Sequence, residues 1–367
     1  MPVPFFDITR QNKPLEKELK AAVSQVINSG RYILGENVTA FEKEFAEYCG
    51  TKYAVGVASG TDALLLGLKV AGIGPGDEVI TSPFTFMATA EVINYCGATP
   101  VFVDIDDKTF NLDISKVSCQ ISNKTKAIIP VHLYGLACDM KPLMELVAKN
   151  KIAVIEDCAQ AAGAEYQGKK VGSFGLGAFS FFPTKNLGCF GDGGAITTES
   201  EEIVKQLKAL RNHGTTKTYH HDLIGYNSRL DEIQAAALRI KLKHLDTYLD
   251  KRRQNADLYK KLLKEIPAIQ LPSHPATCVH TYNQFTIQVD KRDELVGFLR
   301  GKGLSAMVYY PLALHLQMAF TKLRYKIGDL PVTESVQKCV LSLPIFPELL
   351  PDEIEQTCSA IKEFFKK

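Results

Sequence analysis

Residues 53–62 read Tyr53-Ala54-Val55-Gly56-Val57-Ala58-Ser59-Gly60-Thr61-Asp62, and the apolar run Ala63-Leu64-Leu65-Leu66-Gly67-Leu68 follows. Tyr53 to Val57 is short and apolar enough for a buried strand, while Asp62 to Ala71 is long enough for a helix. The small residues between them mark the switch. Working outward, the same rhythm recurs. Gly72 to Asp77 is a loop by its glycines and proline, Glu78 to Thr81 a strand, Thr85 to Cys96 a helix and Pro100 to Val103 a strand. Ala127 to Val131 and Ala153 to Glu156 read as further strands around a helix from Met140 to Asn150. Ala178 to Phe182 and Ala195 to Thr198 are two more, separated by a glycine-rich turn. Strands alternating with helices predict an α/β fold: a mostly parallel sheet with helices on both faces. Ligands in such sheets bind at the carboxyl ends of the strands.

Ahead of this region, helices are expected from Leu15 to Asn28 and from Val38 to Tyr48, each stopped by a glycine. After it, Leu230 to about Leu263 reads as one long helix. The pattern then changes to a strand at Phe285 to Val289, a helix at Arg292 to Gly301, a strand at Ser305 to Tyr310 and a terminal helix at Pro351 to Phe365. The 367 residues therefore divide into a larger unit, 1–245, which includes the amino-terminal segment, and a smaller α+β unit, 246–367.

Composition narrows the class. The chain is 46% hydrophobic and 23% charged, as in ordinary globular proteins. With 43 basic and 41 acidic residues it lacks the basic stripe of a nucleic-acid binder. It has no apolar run long enough to span a membrane and no signal-peptide pattern at its start. Nine dispersed cysteines without a Cys-x-x-Cys predict neither a disulfide framework nor a metal knuckle, and suit a reducing cytoplasm.

Four segments carry candidate chemistry. Ser59 to Asp62 stands at a strand-to-helix junction, where free N–H groups and the helix dipole suit a phosphate; capping of the helix competes with that reading. Glu156-Asp157 ends a strand, placed to meet a metal, a ribose or a protonated pyridine nitrogen, or to cap a helix. Lys185 ends the apolar stretch Phe179 to Thr184 and precedes Gly188-Cys189-Phe190-Gly191-Asp192-Gly193-Gly194. Most lysines are solvated surface, but an apolar setting lowers a lysine's pKa and makes it the nucleophile that Schiff-base chemistry needs. The glycines do not follow the dinucleotide fingerprint. In Gly225 to Asp231, Asn227 or Ser228 can cap the next helix and Arg229 can pair with Asp231. Tyr219-His220-His221 suits a loop or substrate contact better than a metal.

Together these segments resemble the DegT/DnrJ/EryC1/StrS sugar aminotransferases, which have the aspartate-aminotransferase fold (fold type I). The motifs are ASGTDAL at 58–64, GPGDEVI at 74–80, EDCAQ at 156–160, SFFPTKNLGCFGDGGA at 180–195 and GYNSRLDEIQAA at 225–236. The likeness runs from Phe5-Phe6-Asp7 and Gly30 to Gly35 through Ser342-Leu343-Pro344.

The resemblance implies pyridoxal 5′-phosphate (PLP) as cofactor and Lys185 as the Schiff-base lysine, acting also as general base and acid. It implies that Asp157 keeps the pyridine nitrogen protonated, Gln160 bonds the ring hydroxyl and Phe86 stacks on the ring. Gly60, Thr61 and Ser180 would bind the phosphate, and Asn227 the phosphate of a neighbouring subunit. A homodimer with shared sites follows. The amino donor would be L-glutamate, leaving as 2-oxoglutarate, and the acceptor a nucleotide-linked keto-sugar. Tyr32, His220, Arg229, Tyr309 and His315 are the substrate-binding candidates. Members that aminate C3 are the most similar, whether on UDP-linked N-acetyl sugars, including glucuronates, or on dTDP-linked 6-deoxyhexoses. Tyr309 stands where hexuronate enzymes tend to have histidine, which weighs against the uronate. Such products feed surface glycans such as O-antigen. Amination at C4, a PLP-dependent sugar dehydratase and a non-catalytic regulator compete. Dehydratases of this fold replace the lysine with histidine, and a regulator need not keep every part.

Overall fold

The computed structural model describes residues 2–217 and 219–366. Seven strands form the main sheet: β1 (Tyr53–Val57), β2 (Glu78–Thr81), β3 (Thr99–Phe102), β4 (Thr125–Ile129), β5 (Ala153–Asp157), β6 (Leu176–Ser180) and β7 (Gly194–Thr198). Their spatial order is β1-β7-β6-β5-β4-β2-β3. β6, β5, β4, β2 and β3 run parallel. β7 is antiparallel to both its neighbours, pairing Ser180 with Gly194 and Val57 with Gly194 at its start. The carboxyl ends of β1, β5 and β6 and the start of β7 therefore share one edge. This is the expected mostly parallel α/β sheet.

Both faces of the sheet are covered, so its strands are apolar throughout rather than alternating. Ile128, Val154 and Phe179 point into one buried cluster with Phe41 and Phe45 of the helix Glu36–Cys49. Their neighbours Ala127, Ile129, Ile155 and Ala178 point into another, with Leu64, Leu66 and Leu68 of the helix Gly60–Val70. A third cluster lies on a three-stranded antiparallel sheet of Ile269–Gln270, Phe285–Val289 and Val340–Leu343, covered by the helices Leu245–Leu263 and Pro351–Lys366.

Two expectations need correction. The long helix is two, Glu232–Leu242 and Leu245–Leu263. The break comes where the His244 N–H bonds the Lys241 carbonyl, three residues back, instead of continuing the α-helical spacing. Ser305 to Tyr310 is not a strand. It makes one bridge, Met307 with Ser342, and then leaves the sheet because Tyr309 and Tyr310 are held elsewhere. The amino-terminal segment touches both units: Val3 bridges Leu304, Phe6 packs edge-on to Phe346 and Arg10 pairs with both oxygens of Glu353, while Leu15 and Leu19 pack on Ala237 and Ile240.

Candidate active site

The helix Gly60–Val70 begins at the edge where β1 ends. Ser59 caps it, its hydroxyl accepting from the Asp62 N–H at 3.0 Å, so capping and an open helix end coexist here. Gly60 lies against Ser180 so closely that an added Cβ would stand 2.6 Å from the serine's Cβ. Gly194 approaches the Ser59 carbonyl in the same way, at 2.3 Å. Backbone N–H groups of a helix N-terminus beside a serine hydroxyl make an anion cradle that only glycine leaves open. The Ser228 hydroxyl donates to Asp62 at 2.7 Å and braces the cradle.

Glu156 and Asp157 diverge because successive strand side chains point to opposite faces. Glu156 faces away from the edge, fully buried, and accepts from the N–H groups of Gly172, Phe174 and Gly175, each at 2.8 Å, and from His132 Nε2 at 3.1 Å. His132 Nδ1 accepts from the Cys138 N–H. Both ring nitrogens of His132 are thus engaged, although Cys158 lies close enough to complete a group of three possible metal ligands. Asp157 faces the edge. It accepts from the Thr89 hydroxyl at 2.7 Å and the Ala159 N–H at 3.1 Å. Burial raises its proton affinity, opposed by those hydrogen bonds and by the nearby Lys185 charge. A cation beside it would restore the carboxylate.

Lys185 sits half-buried in the turn after β6, its N–H bonded to the Phe182 carbonyl. Among the described residues its amine has no hydrogen bond or ion pair. Desolvation lowers its pKa, and the Asp157 charge opposes that. An unbonded amine with weakened proton affinity is a ready nucleophile and base.

Phe86 is 60% exposed, and its carbonyl accepts from the Thr89 N–H, which places it beside the Asp157 clamp. Gln160 is buried; its side-chain oxygen accepts from the Tyr134 N–H at 2.7 Å and its nitrogen donates to the Tyr310 hydroxyl at 3.0 Å. Gly60, Thr61, Ser180, Asp157, Gln160, Phe86 and Lys185 therefore collect at one edge. Asn227 lines an open depression of about 420 Å³ with Ala58, Asp192, Arg229 and Asp231.

The substrate candidates are spread. Tyr32 is exposed, with its carbonyl accepting from the Glu232 N–H. His220 lies on an exposed two-stranded hairpin. Arg229 donates to Asn212 at 2.9 Å, and among the described residues its Nε is buried without a partner. Tyr309 packs edge-on to Phe5. His315 is buried against Glu334 at 3.2 Å and is not brought to the edge.

Sequence reasoning missed Thr89, Tyr134 and Lys241, and the contact of Tyr310 with Gln160. Lys241 is 1% exposed, donates to the Gly188 carbonyl at 2.9 Å and lies over the Phe190 ring, so it pins the glycine loop behind Lys185. Burial lowers its pKa to about 8. Between that value and the ordinary lysine range the unfolded chain binds the extra proton, so stability rises with pH there. The slope is up to about 1.4 kcal/mol per pH unit. Denaturant titrations from pH 8 to 10 should show the stability of the wild type climbing relative to Lys241→Met; a constant difference would contradict this.

Comparison with known proteins fits the geometry. The family model described as the DegT/DnrJ/EryC1/StrS aminotransferase family matches residues 13–362. A Geobacillus stearothermophilus protein named pleiotropic regulatory protein is 46% identical over 100% of this chain and 99% of its own. The UDP-N-acetyl-3-dehydro-alpha-D-glucosamine 3-aminotransferase of Acidithiobacillus ferrooxidans is also 46% identical, over 98% of this chain and 97% of its own. The crystal structure of Streptomyces venezuelae DesV in complex with ketimine intermediate superposes with a TM-score of 0.98 at 43% identity, covering 100% of this chain and 99% of that one. The residues at the edge also suit PLP: a half-buried lysine whose amine is unbonded among the described residues, a clamped carboxylate and a cradle that a Cβ would fill. The chain belongs to the DegT/DnrJ/EryC1/StrS aminotransferase family and is a PLP-dependent aminotransferase.

Proposed function

We propose that the protein moves the amino group of L-glutamate onto C3 of a nucleotide-linked 3-keto sugar, for surface glycans such as O-antigen. The observation that carries the chemistry is the free amine of Lys185 beside the clamped carboxylate of Asp157. The similarity to a 3-aminotransferase of a UDP-linked N-acetyl sugar supports the acceptor.

When bound, PLP supplies the carbonyl that exchanges amino groups and a ring that draws electrons from the bond being broken. Asp157 would hold the ring nitrogen protonated, and Gln160 would bond the ring hydroxyl. Gly60, Thr61 and Ser180 would take the phosphate, with Phe86 against the ring. Lys185 Nζ, its proton affinity lowered by desolvation, takes the proton from the substrate carbon and returns it to the other side of the transfer. Tyr32, His220, Arg229, Tyr309 and His315 are retained as the proposed sugar-nucleotide contacts; for His315, buried on Glu334, this requires the 314–316 turn to shift.

The proposed enzyme is a cytoplasmic homodimer. All nine cysteines are free, and no described helix is long and apolar enough to cross a membrane. Exposed Tyr32, Ile33, Phe182 and Phe190 suit an interface between copies. Residues 1–245, with the amino-terminal segment, and 246–367 would be its two units. If Asn227 completes the neighbour's site, mixing inactive Lys185→Ala with inactive Asn227→Ala chains restores part of the activity, since one site per mixed dimer is whole.

The acceptor is tested by a coupled assay over UDP- and dTDP-linked 3-keto and 4-keto sugars, with 2-oxoglutarate release as readout. Amination of 4-keto sugars alone would refute the C3 reading. A holoprotein that glutamate fails to convert to the amine form of the cofactor would refute glutamate as the amino donor.

The cradle gives a further expectation. Gly60→Ala forces Ser180 or the helix start to move, so PLP affinity, measured by titrating the apoprotein, should fall about tenfold or more, the equivalent of one or two hydrogen bonds to a charged group.

A further inference from the structure

Gln160 would bond the ring hydroxyl of PLP through its side-chain amide, which carries one oxygen and two N–H groups. The oxygen is taken by the Tyr134 N–H at 2.7 Å. One N–H is taken by the Tyr310 hydroxyl at 3.0 Å. A single N–H remains, and the two contacts fix the plane in which it lies.

The holders of this amide are themselves held. Tyr134 adopts φ 58°, ψ 5°, a left-handed conformation unfavourable for a bulky side chain, and this turns its N–H toward Gln160. Its hydroxyl donates to the Tyr309 carbonyl, so one residue grips Gln160 with its backbone and the Tyr309-Tyr310 pair with its ring. The Tyr310 ring packs edge-on to Phe84, on the segment leading to Phe86. Tyr310 follows Met307, which is bridged to the three-stranded sheet. The amide is therefore set jointly by the main sheet and by a segment tied to the second one.

We propose that Tyr310, with Tyr134, is a positioning residue that takes up two of the three hydrogen-bonding groups of Gln160 and aims the third at the ring oxygen of PLP. This rests on the reading of Gln160 as the ring-hydroxyl ligand. An N–H aimed at that oxygen favours its deprotonated form. The position of the second sheet then reaches the cofactor through one hydroxyl group.

The test uses holoenzyme and follows the visible absorbance of bound PLP against pH. Tyr310→Phe keeps the ring and its packing but loses the acceptor, so the amide is free to turn about its remaining bond. The spectral transition should move up by about half a unit, the effect of weakening one neutral hydrogen bond. PLP affinity should fall by a few-fold. Gln160→Ala should move the transition at least as far, and Tyr310→Phe in that background should move it no further, because Tyr310 acts only through Gln160. Equal shifts from Tyr310→Phe in both backgrounds, or no shift in the wild type, would overturn the proposal while leaving Gln160 as ligand. No shift from Gln160→Ala would instead remove the ligand reading, and the proposal with it. Thermal melting of each variant guards against misfolding.

Discussion

Lys185→Ala is expected to abolish amino transfer, by at least about 10⁴-fold, the upper end of what a positioned acid–base group contributes. It should also remove the visible absorbance of covalently held PLP. The expectation follows from what surrounds the amine. Among the described residues it has no hydrogen bond, and desolvation lowers its pKa. A neutral amine is both the nucleophile and the base that the reaction needs, and Lys185 is the lysine whose charge acts on Asp157. Lys185→Arg should not restore activity, because a guanidinium cannot give up its proton in this pH range. In the wild type, activity should fall as pH falls through the lowered pKa of Lys185, since protonation removes the free electron pair. Single-turnover mixing with glutamate reads the loss directly. Turnover like that of the wild type in Lys185→Ala would sink the assignment.

The sequence makes strands legible where an apolar run is bounded by glycine, proline or acidic residues. Tyr53–Val57, Glu78–Thr81 and Phe285–Val289 stand as read, as do the helices Met140–Asn150 and Arg292–Gly301. The break at Lys243-His244 is not legible, because the apolar spacing continues across it without a proline or glycine. The site is legible where its parts are contiguous: Ser59 to Thr61 at a junction, Asp157 at a strand end, Lys185 after an apolar stretch. Its supports are not. Gln160 and Tyr310 are 150 residues apart, and Lys241 and the Gly188 carbonyl 53. Such pairs exist only once the chain has folded, and a lysine pattern such as Lys241-Leu242-Lys243 does not say which amine is buried.

The pair Glu156-Asp157 shows how far one step along a strand divides roles, and it carries the second large expectation. Read in sequence, either carboxylate qualifies as the site acid. In the fold, Glu156 is the acceptor for three backbone N–H groups and the His132 ring at a fully buried point. Glu156→Gln puts an amide donor against that ring of donors. At least one N–H group then loses its partner, and the negative charge that held the Gly172 to Gly175 turn is gone. Removing one partner from a buried charged network costs about 3–5 kcal/mol, a large part of the stability of an ordinary domain. The apoprotein should therefore unfold at markedly lower denaturant. Asp157→Asn should do the reverse. Burial already penalises this carboxylate, raising its pKa, so a neutral amide of the same shape keeps or raises the stability of the apoprotein. An amide cannot hold a pyridinium proton, however, so transfer should fall about 10²–10⁴-fold. Denaturant unfolding and half-reaction kinetics on the two variants separate the roles. A stable Glu156→Gln protein, or an active Asp157→Asn enzyme, would show that the strand places the wrong carboxylate at the edge.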